Sequence, residues 1–216
     1  WHPGADLVAD WYPDGRSILI RSTRASAPPR FDRFFRVPAQ GGFEELLPLP
    51  TGGPAAFSAD ANQIAYVFPT YENRTWKRYR GGREAQIMLY DFGKNTSERL
   101  SDVKSNDEWP MWRGRTIYYC SDRGGRTANL WAYDLDQKTR RQVTRFDDYD
   151  VKWPAIGSDA IVFEKGGSLF VMDLPGEKAR QLQVLVPDDR PGTRPEFRNV
   201  SKWITDFDLS PSAKRA

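Results

Sequence analysis

The stretch from Asn73 to Gly82, Asn-Arg-Thr-Trp-Lys-Arg-Tyr-Arg-Gly-Gly, interleaves Arg74, Lys77, Arg78 and Arg80 with Trp76 and Tyr79, with Tyr71 and Arg83 flanking it. Cations alternating with flat rings are the equipment for stacking on and neutralising a single-stranded nucleic acid. The same residues also suit an ordered loop whose rings rest on a domain rim and whose arginines face water or carboxylates. The charge balance favours the second reading. A net charge of +3 is the small difference between 32 basic and 29 acidic side chains, far from the one-sided field of a dedicated nucleic-acid binder. No nucleic acid is therefore expected among the partners.

Catalysis finds few parts to work with. Ser-His-Asp chemistry needs an imidazole as general base, and the single histidine is His2, close to the first residue. No Gly-x-Ser-x-Gly elbow occurs. Zinc chemistry fails for want of ligands, since one His and one Cys cannot build a site, and Asp147, Asp148 and Asp150 lack the glycine and closing glutamate of a calcium loop. No catalytic residue, metal site or cofactor is expected. Cys120 lies in the apolar run Ile117-Tyr118-Tyr119-Cys120 and reads as a buried structural thiol. Asp91, Asp134 and Asp173 recur at one repeat position, which fits turn capping better than catalysis.

The elements that carry these residues are short strands. With 12 Phe, 9 Tyr, 17 Gly and 16 Pro and no long helical periodicity, the chain reads as all-β. Four units repeat. They are keyed on Trp11, Phe57, Trp112 and Ile156, with steps of 46, 55 and 44 residues, the long step holding the basic insertion. The expected middle strands are Ile18–Ile20, Ile64–Val67, Ile117–Tyr119 and Ile161–Phe163, each followed by a third strand such as Leu169–Asp173. A period near 45 with about four strands per unit is the pattern of a β-propeller. The innermost strands are expected to start near the four key residues. Trp11, Trp109, Trp112, Trp131 and Trp153 are expected between blades, whereas Trp76 is freer to meet a partner. Gly41-Gly42 and Gly166-Gly167 read as hairpin turns.

Trp1-His2-Pro3-Gly4 looks like the middle of a turn and Leu209-Ser210-Pro211-Ser212 like the start of another unit, so a segment of a longer protein is expected. No apolar run approaches the roughly 20 residues of a membrane-crossing helix, and no membrane partner is expected. Pro187-Asp188-Asp189-Arg190-Pro191-Gly192 is rich in helix and strand breakers and suits a boundary.

These residues resemble a known family. Trp76-Lys77-Arg78-Tyr79-Arg80-Gly81-Gly82 is similar to the insertion in the first, six-bladed propeller of tricorn proteases. Arg115–Tyr119, Ala132–Asp136, Phe146–Tyr149 and Lys165–Phe170 look like later blades of that propeller in register, and Ile204–Phe207 resembles the opening of a second, seven-bladed one. The resemblance implies that residues 1–198 are about four four-stranded antiparallel blades, built from WD40-like (PD40) repeats, of a six-bladed propeller. It implies that residues 199–216 are the first strand of the next propeller. It further implies a large, oligomeric, cytoplasmic serine peptidase, with the periplasm as the alternative location, that trims short peptides and carries its catalytic core elsewhere. This segment would then be channel, gate and scaffold. Its partners would be peptides, the rest of the parent chain and further copies of that chain. Peptide contacts are assigned to Asn62, Gln63, Arg74, Trp76, Lys77, Arg78, Tyr79 and Arg80. Asn62-Gln63 stands where the archaeal member has a carboxylate-anchoring arginine pair, and neutral amides lack that forked, charge-assisted contact. The alternative from another class is a scaffold propeller of the TolB type with no enzyme attached, and a third is the propeller cap of a prolyl-oligopeptidase-like enzyme.

Overall fold

Each repeat folds as one four-stranded antiparallel sheet. The computed structural model describes residues 5–26, 31–70, 77, 79–102, 105–125, 127–185, 187, 191–212 and 214. The first sheet holds β1 (Asp6–Trp11), β2 (Ser17–Ser22), β3 (Arg33–Pro38) and β4 (Glu45–Leu46). The second holds β5 (Ala55–Phe57), β6 (Gln63–Phe68), β7 (Gln86–Asp91) and β8 (Thr96–Arg99). The third holds β9 (Asp107–Arg113), β10 (Thr116–Ser121), β11 (Asn129–Asp134) and β12 (Thr139–Gln142), and the fourth β13 (Val151–Ile156), β14 (Ala160–Lys165), β15 (Ser168–Asp173) and β16 (Lys178–Gln181). Every strand pairs with its neighbour in sequence. Contacts between sheets run from β1 to β5, β5 to β9 and β9 to β13, so the first strand of each sheet is innermost and the sheets stand as propeller blades about a common axis.

Three apolar layers hold adjacent sheets together. Leu19, Phe34 and Leu49 meet Ile64 and Tyr66 between the first two. Val67 and Ile87 meet Ile117 and Tyr119 between the second and third, and Leu130 meets Ile161, Phe163 and Met172 between the third and fourth. Fully burying each such side chain stabilises by about 1.5–3 kcal/mol, and this is what makes the middle strands continuously apolar. A polar clamp joins the last layer: Glu177 accepts from the Tyr118 hydroxyl at 3.0 Å and from both terminal nitrogens of Arg141. The Arg141 hydrogen bond, ahead of that from Tyr118, holds the Glu177 carboxyl below its ordinary range against a cost of burial. Cys120 is buried, with its Sγ 3.7 Å from the Val151 carbonyl oxygen, and burial pushes the thiol well above its ordinary pKa.

The innermost strands end, rather than begin, at Trp11, Phe57 and Ile156, and Trp112 stands next to last in β9. The displacement has a physical cause. These strands are interrupted by bulges in the pairing of β1, β9 and β13; Pro110 and Pro154 occupy matching places within β9 and β13, and Pro54 stands just ahead of β5. Trp109 and Trp153, each just before its proline, take φ of +57° and +45°, which bulky residues rarely adopt. Such strands carry no clean alternation for periodicity to find.

Turn chemistry follows the residue types. Asp91 Oδ1 accepts the Lys94 amide at 2.9 Å, and Asp134 Oδ1 accepts those of Asp136 and Gln137 at 2.9 Å, so these two carboxylates cap turns. Lys165 pairs with Ser168 across Gly166-Gly167, whose φ values of +58° and +79° mark a two-residue hairpin of mirror-image type.

The chain divides into two compact units, Trp1–Gln183 and Val184–Ala216. The second contains two short 3-10 turns, Pro191–Thr193 and Ser201–Trp203, and exposes Phe197, Trp203 and Phe207. Its residues 204–209 form no strand, having no ladder partner among the described residues.

Candidate functional site

Because each innermost strand is the edge of its sheet, the four edges face a shared axial space. A cavity of about 280 Å³ lies there, lined by Ala9, Ala55, Ala56, Pro110, Met111, Pro154 and Ala155 among others, with Asp10 and Arg21 as its charged members. Burial pushes the Asp10 carboxyl above its ordinary pKa, opposed by hydrogen bonds from the Trp11 and Phe57 amides at 2.8 and 3.3 Å. The wall is mostly apolar, from alanines and prolines up to Trp109, Met111 and Ile156, with one carboxylate and one guanidinium. It provides no nucleophile and base held together.

The basic insertion is the β6–β7 connection and leaves the opposite end of the sheets from the β1–β2 turn. Lys77, Tyr79 and Arg80 are described; Arg74, Trp76 and Arg78 lie outside the described residues. Arg80 makes a forked pair with Asp122 of the β10–β11 connection, Nη1 to Oδ2 at 2.9 Å and Nη2 to Oδ1 at 3.1 Å. Asp122 also accepts the Asn106 amide at 2.8 Å and its side-chain Nδ2 at 2.9 Å, and the same Nδ2 donates to the Tyr79 carbonyl at 3.2 Å. Lys77 pairs with Asp150 of the β12–β13 connection. Acidic loops on one rim thus hold the described part of the insertion. The acids that meet it are Asp150 and Asp122, from two different connections. Asp102 and Asp107, nearby in sequence to Asn106, pair instead with Arg123. Asp122 and Asn106 carried no signal of their own beyond standing in turns.

That geometry changes the weight given to Arg80. Its guanidinium is forked on a carboxylate only 9% exposed, so it contributes more than a solvent-exposed pair. An Arg80→Ala variant is expected to raise hydrogen exchange about tenfold across residues 79–85, while exchange in β14 stays unchanged. Unaltered exchange in the insertion would show that the pair holds nothing.

Gln63 begins β6, the strand whose far end leads into the insertion, and Asn62 immediately precedes it. A strand of this length spans roughly 17 Å, so these residues and Lys77, Tyr79 and Arg80 stand at opposite ends of the sheet. Asn62 donates its amide and Nδ2 to Asp60 at 3.1 and 2.8 Å, and Gln63 Nε2 donates to Asp91 at 3.1 Å. Among the described residues of that expected set, Asn62 and Gln63 therefore share no site with Lys77, Tyr79 and Arg80.

Residues 1–178 match a family profile described as the tricorn protease N-terminal beta propeller domain. The chain is 27% identical over 199 residues to a tricorn protease homolog of Saccharolobus solfataricus, covering 92% of this chain and 18% of that protein. It is 30% identical over 206 residues to the tricorn protease of Thermoplasma acidophilum, covering 93% and 18%. The chain thus spans about a fifth of the length of these relatives. Among solved structures, the tricorn protease superposes with a TM-score of 0.52 at 20% identity over 88% of this chain and 24% of that one. TolB from Acinetobacter baumannii superposes with a TM-score of 0.65 at 16% identity over 83% and 43%, a likeness of fold.

Proposed function

The chain belongs to the tricorn protease N-terminal β-propeller family, and from that we propose that it forms part of the first propeller of a serine peptidase that trims short peptides. The observation that carries this reading is the axial cavity, whose mostly apolar wall suits the passage of an extended chain. Catalytic groups belong to another part of the parent protein. Residues 199–216 would open the next propeller, gaining their strand only against partner strands supplied there. Copies of the parent chain would assemble as a cytoplasmic oligomer. The peptide, not a nucleic acid, is the molecule that meets the propeller.

Narrowing the passage tests the proposal. In the full-length protein, Ala155→Trp should lower kcat/KM for peptides of eight or more residues at least tenfold while leaving a fluorogenic dipeptide nearly unchanged. Equal effects on long and short substrates, or none on either, would defeat the passage reading.

A further inference from the structure

On the face opposite the insertion, the first and second sheets part around a pocket of about 460 Å³. One wall is aromatic. Tyr12 and Phe92 line it, and Tyr12 is fixed by packing on Phe57 with ring centroids 4.4 Å apart. The rest of the lining brings together carboxylates from separate segments: Asp14 from the β1–β2 turn, Glu45 from β4 and Asp60 from the β5–β6 turn. Arg36 is the cation in the lining. It lies over the Tyr12 ring at 4.9 Å, donates from Nε to Ser17 Oγ at 3.0 Å and is the cross-strand partner of Glu45. That leaves Asp14 and Asp60 as the surplus negative charge.

The acceptors are held in place before any ligand arrives. Asp60 accepts from Ser58 Oγ at 2.6 Å and from Asn62 N and Nδ2 at 3.1 and 2.8 Å. The Ser58 bond, foremost among these, keeps its carboxyl ionised below the ordinary range. Asp14 accepts a turn amide from Arg16 at 2.9 Å through Oδ1. The Tyr12 hydroxyl makes no hydrogen bond among the described residues. Burial above all, assisted by the Glu45 and Asp14 charges and opposed by Arg36, pushes its pKa up to about 12, so at neutral pH it is an uncharged group with both a proton and lone pairs to offer.

We propose that this pocket binds an organic cation carried on a peptide, an alkylammonium or guanidinium group. Its charge would meet Asp14 and Asp60, and its stem would lie along Tyr12 and Phe92. The sign of the surplus charge excludes an anion. A metal ion does not suit the arrangement, because among the described residues no three His, Cys, Asp or Glu side chains converge as metal ligands. A spread-out cation with an apolar stem uses the carboxylates and the ring faces together, since aromatic faces attract cations. That the carrier is a peptide rests on the peptide-trimming reading above. The cation has two sources in a peptide, a lysine or arginine side chain and the free amino terminus.

Calorimetry on the full-length protein separates the cases. Three probes are used: acetyl-Gly-Lys-Gly-amide, Gly-Gly-Gly-amide with a free amino terminus, and acetyl-Gly-Glu-Gly-amide. At least one cationic probe should bind, the first pointing to a side chain and the second to a terminus, and the glutamate probe should not. The pair of substitutions Asp14→Asn and Asp60→Asn removes the charge while leaving one acceptor oxygen in each turn and should weaken the cationic probe at least tenfold, whereas Glu98→Gln, on exposed β8, should leave it unchanged. Failure of both cationic probes to bind, or equal affinity in the Asp14/Asp60 variant, would overturn the proposal even if long peptides are still trimmed. Intact, carboxylate-dependent binding in a protein that trims nothing would uphold the pocket and remove the peptidase premise instead.

Discussion

An Arg123→Ala variant should lose about 3–5 kcal/mol of unfolding free energy at neutral pH, because it strands a buried carboxylate without its partner. Asp107 is fully buried at the start of β9, where it accepts from Ser121 Oγ at 2.5 Å and from Arg123 Nη2 at 3.0 Å. Arg123 also reaches Asp102 at 2.6 Å and Ser105 at 3.0 Å, tying the connection between the second and third sheets to β9. Burial already pushes the Asp107 carboxyl above its ordinary pKa, with Arg123 the chief opposing influence. Without the guanidinium that pKa rises further, and the folded state then holds a proton that the unfolded state releases. Stability of the variant should therefore fall as pH rises from the ordinary carboxylate range toward neutrality, so the loss measured by urea denaturation is smaller at pH 4 than at pH 7. Asp107→Asn removes the charge that needs the partner. In that background Arg123→Ala should cost markedly less, and strictly additive losses would show that the two side chains are not coupled.

Self-association of the 216-residue chain is the second large effect expected. On the first sheet, Val8, Ile20, Phe35 and Leu46 form one row by register and Trp11, Ile18 and Val37 the next, with Val8 66% and Trp11 53% exposed. On the fourth sheet, Ala155, Val162 and Val171 form a row on the face turned away from the Ile161–Phe163–Met172 layer, and Val162 is 44% exposed. Apolar rows of this extent on the faces of flat sheets seek cover. Sedimentation at rising concentration should show dimers or larger species, and Val8→Lys together with Val162→Lys should return the chain to monomer with its β-sheet circular dichroism unchanged. A wild-type chain that stays monomeric throughout the range would mean that these faces are already shielded.

What the amino-acid sequence revealed depended on which physical effect shaped each strand. Middle strands such as Ile64–Val67 are squeezed between two sheets, so they are apolar throughout and stand out. Hairpin glycines and turn aspartates were equally legible, because Gly166-Gly167 needs positive φ and Asp134 needs amides to accept. The innermost strands were misplaced by several residues, since bulges and prolines erase their alternation. The pairing of Arg80 with Asp122 was illegible for a different reason: 42 residues separate them, and only the arrangement of adjacent blades brings their loops together. Asp14, Glu45 and Asp60 of the pocket lie in separate segments of the sequence, with no spacing that marks a common site. Their convergence is a property of how one sheet leans on the next.

The prolines and bulges of the innermost strands bear on friction inside the passage. A sheet edge facing an open lumen is a template, and an extended peptide sliding past it would be drawn into the ladder and held by its main chain. Pro54, Pro110 and Pro154 have no amide hydrogen to offer, and the bulges at Trp109 and Trp153 turn neighbouring donors out of line. In the passage proposed above, such a lumen would resist sticking: it would confine a chain by side-chain bulk while offering its backbone little to grip, so transit would depend on size and charge and hardly at all on the cargo's propensity to form strands.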